Sequence, residues 1–563
     1  MSSPLFLGLD LSTQGLKAVL ITEESQVVHE SAVNFGSELP HYGTTNGAIR
    51  GPDPGEVTSP VKMWLEAFDL IMNKMKTAGV NLGRVMAISG DGQQHGSVYW
   101  SSAAPDLLST LDPSKSLAEQ LSPTAFTFQR SPIWQDSSTT RECRELEDAV
   151  GGPQVLADIT GSRAYERFTG NQIRRLRLLH PTLYAETARI SLVSSFMPSL
   201  FVGAIAPIEI SDASGMNLMN VLTNTWEDQL LEFCGGDPHD LRQKLGGEPV
   251  KGGTVLGTIS RWWVERWGFN PDCIIAPFTG DNPATVVSLS SPGDAILSLG
   301  TSTTLLLSIP PLSASDPPHR FTTSHLLAHP TTPGAHIAML CYKNGALARE
   351  QVRDRYAGGQ WSTFNQMIEA STVGGGGGGD GTMGFYFPLP EIIPPNVQGS
   401  FFFFSSTAAA IPEPSIPPTL HPRLILESQL LSIRSRIAAI LPAHCPPLQR
   451  LVVCGGSSAN PVIRQMAADV LGMRVFVAVT EQGAAEGGAQ LARYAWWRSS
   501  MEGGTFEELR AMDEGYCEEG ERFRCVAEPK EEAGRRYAAL VERYRECEER
   551  AVDVWNAAQS VAV

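Results

Sequence analysis

Two short stretches of this chain, about 290 residues apart, share one pattern: an apolar run, a turn of small hydroxyl-bearing residues and a second apolar run. The first is Leu5–Val19, LFLGLDLSTQGLKAV, and the second is Ala295–Leu305, AILSLGTSTTL. Each predicts a strand, a tight turn and a returning strand. A turn of Gly, Ser and Thr lets backbone N–H groups and hydroxyls approach an anion without side-chain bulk. Two such turns suit a polyphosphate held between two domains, so the chemistry they imply is phosphoryl transfer. Asp10 closes the first apolar run. An aspartate there is commonly a turn former, but beside Ser12 and Thr13 its carboxylate suits the hydrated Mg²⁺ that accompanies a nucleotide. Lys17, on the returning strand, faces either phosphates or solvent. A third element, Leu451–Asn460 (LVVCGGSSAN), is an apolar run entering a Gly-rich turn ahead of a helical pattern at Pro461–Leu471. Such a turn lets backbone pack on a flat ring or on phosphates, and a plain strand–helix turn is the simpler reading of it alone.

The elements that position these turns follow from periodicity. Leu5–Ile21 reads as a hairpin and Gln26–Val33 as a third strand, followed by a polar, Gly- and Pro-containing loop over Ser37–Glu56. Ser59-Pro60 predicts a helix start, with Ser59 as its cap. Trp64, Phe68, Ile71, Met72 and Met75 then recur at helical spacing and read as core. Arg84–Ser89 is the next strand and delivers Gly90–Trp100. Strands, helix and strand in that order indicate an α/β domain. Ser137–Val150 reads as a polar helix, Gly161–Leu179 as a basic helix or loop, and Ile190–Ile205 as an apolar helix. The second half repeats the plan, with a hairpin at Ala295–Ser308 and a strand at Leu451–Cys454. Six consecutive glycines, Gly374–Gly379, and a Pro-rich stretch, Ile411–His421, are insertions. Phe506–Trp555 is charged with helical periodicity and reads as solvated helices packed on the outside. The boundaries drawn this way are 1–291, 292–500 and a tail, 501–563.

Bulk properties narrow the function. A chain of 563 residues forms at least two domains. A net charge of −17 argues against a nucleic-acid partner, which needs a basic surface, and against an anionic membrane. Nine cysteines without a C-x-x-C pair predict reduced thiols in a cytoplasmic protein. No apolar run approaches the length needed to span a bilayer, and the short Leu5–Leu9 run leading into Asp10 reads as a strand, not a signal peptide.

Two phosphate turns followed by a Gly-rich turn, in this order, resemble the actin-like and hexokinase-like ATPases. Within them, the chain resembles the FGGY carbohydrate kinases, and most closely the eukaryotic xylulose kinases. The resemblance runs from about Leu5 to Arg498 and rests on GLDLSTQGLK, ISGDGQQHGSVYW, IWQDSSTT, GSRAYERFTGNQI, RISLVSSF, SDASGMNL, PFTGDNPA, SLGTST, CYKNGALARE and GGSSAN. It implies two ribonuclease-H-like α/β domains with a cleft between them, and ATP-dependent phosphorylation of D-xylulose to D-xylulose 5-phosphate with Mg²⁺. Asp281, in PFTGDNPA, matches the catalytic base; an ordinary Asp pKa of about 3.9 would leave it ionised at neutral pH. The adjoining Asn282, His95 in GQQHG and Arg163 in GSRAYERF match sugar-binding positions. Trp361, Gly456, Ser457 and Asn460 match nucleotide positions, and Thr13, Gly300, Thr301 and Ser302 the phosphate turns. Read from residues alone, Gly280–Pro283 is a turn, His95 a structural histidine and Arg163 a surface charge in a segment with Arg167, Arg174, Arg175 and Arg177. Ribulose, gluconate and glycerol are the alternative substrates, and a non-catalytic actin-like ATP-binding protein is the alternative class. Asp91 departs from the small residue usual at its place, and sets a negative charge beside the sugar segment.

Overall fold

A computed structural model describes residues 3–291, 293–312, 317–374, 381–441, 445, 447–478, 482–501, 503–514 and 522–562. The chain packs as two compact units, neither continuous in sequence. The first comprises Met1–Leu289, Leu326–Ile337 and Thr480–Glu518; the second comprises Ser290–His325, Ala338–Val479 and Glu519–Val563.

In the first unit β1 (Leu5–Leu11), β2 (Gly15–Ile21) and β3 (Val27–Asn34) form the expected antiparallel meander. Helix α1 (Val61–Thr77) follows, then β4 (Val85–Gly92), which returns parallel to β1. Short strands β5 (Gly257–Thr258), β6 (Ile274–Ile275) and β7 (Thr279–Gly280) complete a seven-stranded sheet. Its order is β5-β6-β4-β1-β2-β3, with β7 also paired to β4. β1 is buried at every position because both faces of the sheet are covered. On one face Trp64, Phe68, Ile71, Met72 and Met75 of α1 are fully buried, as their spacing predicts. Each such side chain contributes about 1.5–3 kcal/mol by burial. Ser59 does not cap α1. It lies in a short strand, Val57–Pro60, and donates its hydroxyl to the Gly47 carbonyl at 2.8 Å. The predicted apolar helix over Ile190–Ile205 divides into a strand, Thr187–Leu192, and a helix, Val193–Val202.

The other face of the sheet is covered by the Gly483–Ser500 helix, which packs on β1 and β4. The sequence boundaries group this segment with 292–500, whereas its packing groups it with the first unit: Ala485, Ala489 and Ala492 pack with Phe6, Val19 and Ala87 of the first sheet. Helix α2 (Asp281–Leu289) closes the unit, beginning at the residue read from sequence as a turn.

In the second unit β8 (Asp294–Leu299) and β9 (Thr303–Ile309) form the second hairpin. After β10 (His336–Tyr342) come helices α3 (Ala346–Tyr356), α4 (Trp361–Ala370) and α5 (His421–Ile440). β11 (Arg450–Cys454), α6 (Pro461–Leu471) and β12 (Arg474–Ala478) follow. The tail is not all helix. β13 (Phe523–Ala527) extends the sheet, whose order includes β10-β9-β8-β11-β12-β13. The last helix, α7 (Glu531–Ala562), packs against α5 and buries Tyr537, Tyr544 and Cys547. Arg423 on α5 donates to the Tyr537 hydroxyl at 2.9 Å, and that hydroxyl donates to Glu427 at 2.9 Å. Of the six-glycine run only Gly374 lies among the described residues, and its N–H donates to Glu427 at 3.1 Å. Among the described residues no helix is long and apolar enough to cross a membrane.

Candidate active site

Three strand ends bring three aspartates to one end of the first sheet. β1 and β4 run in register as Asp10↔Asp91, and β7 pairs Thr279 with Asp91 and Gly280 with Gly92. Asp281 follows β7 directly and begins α2. Its Oδ1 accepts from the Asn282 N–H at 2.9 Å and from Asn282 Nδ2 at 3.1 Å. Asn282 Nδ2 also donates to Gln94 Oε1 at 2.9 Å. Gln94 Nε2 in turn lies 3.5 Å from Asp212 Oδ1, and the Ser194 hydroxyl donates to Asp212 Oδ2 at 2.5 Å. Thr279 donates to Glu209 Oε2 at 2.7 Å.

Burial governs the charge of this cluster. Asp281 is pushed up to about 7 by desolvation first, then by the charges of Asp10 and Asp212. This corrects the sequence-based expectation of an ordinary carboxylate near 3.9, which took no account of what surrounds the group. Asp212 rises to about 6 and Glu209 to about 8, both mainly through burial. Asp91 is fully buried and held well above the usual carboxylate range by desolvation, then by Asp10 and Asp281. Lys17 settles on Asp10, with Nζ at 3.3 Å from Oδ2.

Asp10 Oδ1 and both oxygens of Asp91 are buried without a hydrogen-bond partner among the described residues. Three such oxygens on neighbouring strands fit a divalent cation, since Mg²⁺ keeps several waters and takes only one or two carboxylates. Among the described residues no three His, Cys, Asp or Glu side chains form a ready-made metal cage.

The turn after β4 carries His95 at φ +72°. Its ring stacks on Phe168 with centroids 4.5 Å apart. Nδ1 lies 2.8 Å from the Gly215 carbonyl oxygen. A carbonyl only accepts, so Nδ1 carries the proton and Nε2 is left as an acceptor. Burial, with help from the Arg167 charge, pushes the imidazole down to about 3, so it stays neutral. Arg163 lies near this turn: Asn217, two residues beyond Gly215, donates to the Arg163 carbonyl at 3.4 Å. The Arg163 guanidinium makes a two-pronged pair with Glu147, both contacts at 3.0 Å. Arg174 and Arg175 pair with Glu145 and Asp53, and Arg177 donates to the Cys234 carbonyl, which makes them structural charges. Thr13 accepts a hydrogen bond from Trp134 Nε1 at 2.8 Å, a contact nothing in the sequence pattern announced.

The second unit gathers the other group. The β8–β9 ladder ends at Leu299↔Thr303, leaving Gly300, Thr301 and Ser302 as the turn. β11 runs parallel to β8 as far as Ser298↔Cys454, so the Gly-rich turn emerges beside it. Gly455, at φ +84°, is the residue that the close approach requires. A Cβ there would stand 2.9 Å from the Leu299 carbonyl carbon, whereas Gly456 has open space around it. Asn460 Oδ1 caps α6, accepting from the Val462 N–H at 2.9 Å, and its Nδ2 donates to Asn365 at 2.9 Å. Asn365 is one turn beyond Trp361 on α4, so Trp361 comes near the Gly-rich turn. The Arg353 guanidinium lies 4.8 Å from the Trp361 ring centroid, which leaves only the opposite ring face for a ligand. Sequence reasoning missed Arg349. This buried side chain donates to the Ser457 hydroxyl at 3.1 Å and to Gln429 Oε1 at 2.8 Å.

The sequence matches the N-terminal domain of the FGGY family of carbohydrate kinases over residues 128–288, and the C-terminal domain of that family over residues 295–496. The chain belongs to the FGGY family of carbohydrate kinases. It is 43% identical over 529 residues to a protein of Aspergillus fumigatus named probable D-xylulose kinase A, covering 90% of this chain and 91% of that one. The fold is shared with a xylulose kinase from Rhodospirillum rubrum, at a TM-score of 0.76 and 17% identity over 98% of this chain and all of that one. It is shared equally with a gluconate kinase from Lactobacillus acidophilus, at 0.75 and 15% over 99% of this chain and all of that one. These structures establish the two-domain α/β fold of sugar kinases. Family membership makes the chain an enzyme that moves a phosphoryl group from ATP to a carbohydrate.

Proposed function

We propose that this protein phosphorylates the terminal hydroxyl of D-xylulose with MgATP, giving D-xylulose 5-phosphate, and that Asp281 is the general base. The observation that carries the base assignment is a carboxylate at the head of α2 whose pKa is raised to about 7, with Asn282, Gln94 and Asp212 fixing its orientation. A base is most effective when its pKa lies near the working pH. The 43% identity to a protein named for D-xylulose supports the choice of sugar.

In this reading His95 Nε2 accepts from a sugar hydroxyl, Asn282 both donates and accepts, and Arg163 borders the sugar with its free edge. Asp281 takes the proton of the attacking hydroxyl. Asp10 and Asp91 hold Mg²⁺, which when bound neutralises phosphate charge. Thr13, Gly300, Thr301 and Ser302 donate to phosphate oxygens, while Trp361, Gly456, Ser457 and Asn460 border the nucleotide. Phosphoryl transfer needs little beyond such positioning and charge stabilisation. A cytoplasmic location accompanies this reading, since nine cysteines without a C-x-x-C pair suit a reducing compartment.

ADP formation with and without sugar tests the function. Stimulation by D-xylulose, with a higher kcat/KM than for ribulose, gluconate or glycerol, is the expected result. A higher value for any of the other three overturns the choice of sugar, and ATP turnover indifferent to all four overturns the kinase reading.

Two further outcomes follow from the geometry. Because the base acts ionised, kcat/KM for the sugar falls about tenfold per pH unit once the pH drops below the pKa of Asp281, a point that bound Mg²⁺ moves downward from about 7; an acid limb that persists unchanged in Asp281→Asn removes Asp281 from the role. His95→Asn keeps a residue type that tolerates positive φ but removes the Nε2 acceptor. A mispaired buried hydroxyl costs about 1–3 kcal/mol, so the sugar KM rises about 10–100-fold; loss of the Phe168 stack and the Gly215 hydrogen bond also lowers the melting temperature. An unchanged KM in steady-state kinetics assigns His95 to structure alone.

A further inference from the structure

Two well-covered arginines of the second unit, buried Arg423 and half-buried Arg436, have carboxylate partners. Arg423 pairs with Glu427 and Arg436 with Glu548. Arg349 differs. It is 1% exposed, yet no carboxylate pairs with it among the described residues. Its hydrogen bonds all go to neutral oxygens: Gln429 Oε1 at 2.8 Å, Ser457 Oγ at 3.1 Å and Thr303 Oγ1 at 3.4 Å. Nε is buried with no hydrogen-bond partner among the described residues. Burial holds the guanidinium down to about 10, which still leaves it charged at neutral pH. The only carboxylate charge acting on it is that of Glu350, through space and without an ion pair among the described residues, and a buried cation so weakly compensated is costly unless an anion completes it.

Its place in the fold says which anion. Arg349 lies in the first turn of α3, whose Ala346 N–H donates to the Gly300 and Thr301 carbonyls at 3.2 and 3.1 Å. Gly345 lies against the same turn; a Cβ there would stand 2.6 Å from Thr303 Oγ1. The guanidinium therefore spans from the end of the β8–β9 turn to the Gly-rich turn after β11. Ser457 and Thr303 each accept from it through a hydroxyl oxygen, so each hydroxyl proton is free to be donated elsewhere.

We infer that Arg349 is a positioning residue for the nucleotide's phosphate groups: it holds the Thr303 and Ser457 hydroxyls as acceptors, directs their protons toward a phosphate oxygen, and has its charge balanced when that phosphate is bound. The inference rests on the second unit being the nucleotide-binding half of the kinase. No covalent step is assigned to Arg349.

Calorimetric titration of ADP and of adenosine into wild-type, Arg349→Met and Arg349→Lys protein tests it. Hydrogen bonds to charged groups are each strong enough for a loss of about 10–100-fold. Arg349→Met is expected to weaken ADP by that factor and adenosine by less than about threefold, with the sugar KM unchanged. Arg349→Lys keeps the charge but not the fork, and is expected to fall between. Without nucleotide the Met variant melts no lower than wild type, because a weakly compensated charge has gone; ADP then raises its melting temperature less than it raises that of wild type. ADP affinity unchanged in either variant overturns the inference, as does an equal loss of ADP and adenosine, which marks a merely structural role. Where Arg349→Met fails to fold, the Lys variant decides alone by the same two ligands. Wild-type protein that binds neither ligand overturns the nucleotide-half reading itself, a result distinct from the others.

Discussion

Asp281→Asn is expected to lower kcat by about 10³-fold, within the range a positioned general base supplies, while ADP binding stays within about twofold. Asparagine is nearly isosteric and its amide oxygen can still accept from the Asn282 N–H, so the local hydrogen bonds to Oδ1 survive. What disappears is the ability to take the hydroxyl proton. The same substitution acts on stability in the opposite direction. A carboxyl near 7 in the folded chain and near 3.8 in the unfolded one makes the native state weaker as pH rises. The unfolded chain loses its proton first, and stability falls from about pH 4 until the folded group has also ionised near pH 7. That difference corresponds to about 4 kcal/mol. Asp281→Asn removes this loss, so the variant melts several degrees above wild type at pH 8 and at a similar temperature at pH 4, in chelator and without nucleotide. Asp212 and Glu209, raised to about 6 and about 8, keep part of the slope in both proteins. Scanning calorimetry at the two pH values with single-turnover kinetics separates the effects. Retained turnover refutes the base assignment; a variant less stable than wild type at pH 8 refutes the account of its charge.

The second large effect is on folding. Gly488→Ala is expected to destabilise the first unit by about 3 kcal/mol or more, the upper range of overpacking costs. Helix propensity alone argues the reverse, since Ala is favoured over Gly by about 1 kcal/mol in a helix interior. The sign of the measured change therefore decides between local preference and packing. A Cβ at position 488 would stand 2.5 Å from the Gly90 Cα of β4, and backbone cannot retreat as a side-chain tip can. Gly487 and Gly8 are equally confined, against the Ala284 carbonyl oxygen at 1.9 Å and the Ala485 carbonyl oxygen at 2.0 Å. Ala284 is three residues from Asp281 on α2, so crowding at this helix also moves the proposed base. Urea unfolding of Gly488→Ala gives the stability and kcat the displacement. A midpoint at or above that of wild type rejects the packing argument.

Local sequence determined a good deal. Strand and turn residues alternate strongly enough at Leu5–Ile21 and Ala295–Ser308 that both hairpins were legible, and so was the core face of α1. The Gly-rich turn after β11 was legible because glycine at positive φ leaves a compositional mark. The ordered motifs sufficed for the family. Properties that depend on neighbours distant in the chain had no such mark. Ser59 looks like a cap and is a strand residue. The Gly483–Ser500 helix follows the second half in sequence and covers the first sheet, because only a glycine-and-alanine face lets helix and strand backbones come so near. Asp281, an ordinary aspartate by residue type, becomes a group titrating near neutrality once the fold withdraws water and sets Asp10 and Asp212 beside it. Arg349 reads as one helical cation among many until packing buries it with only neutral oxygens as hydrogen-bond partners among the described residues. Backbone conformation follows residues three or four apart, whereas desolvation and charge pairing sum over everything within several ångströms, and that list exists only after the chain has folded.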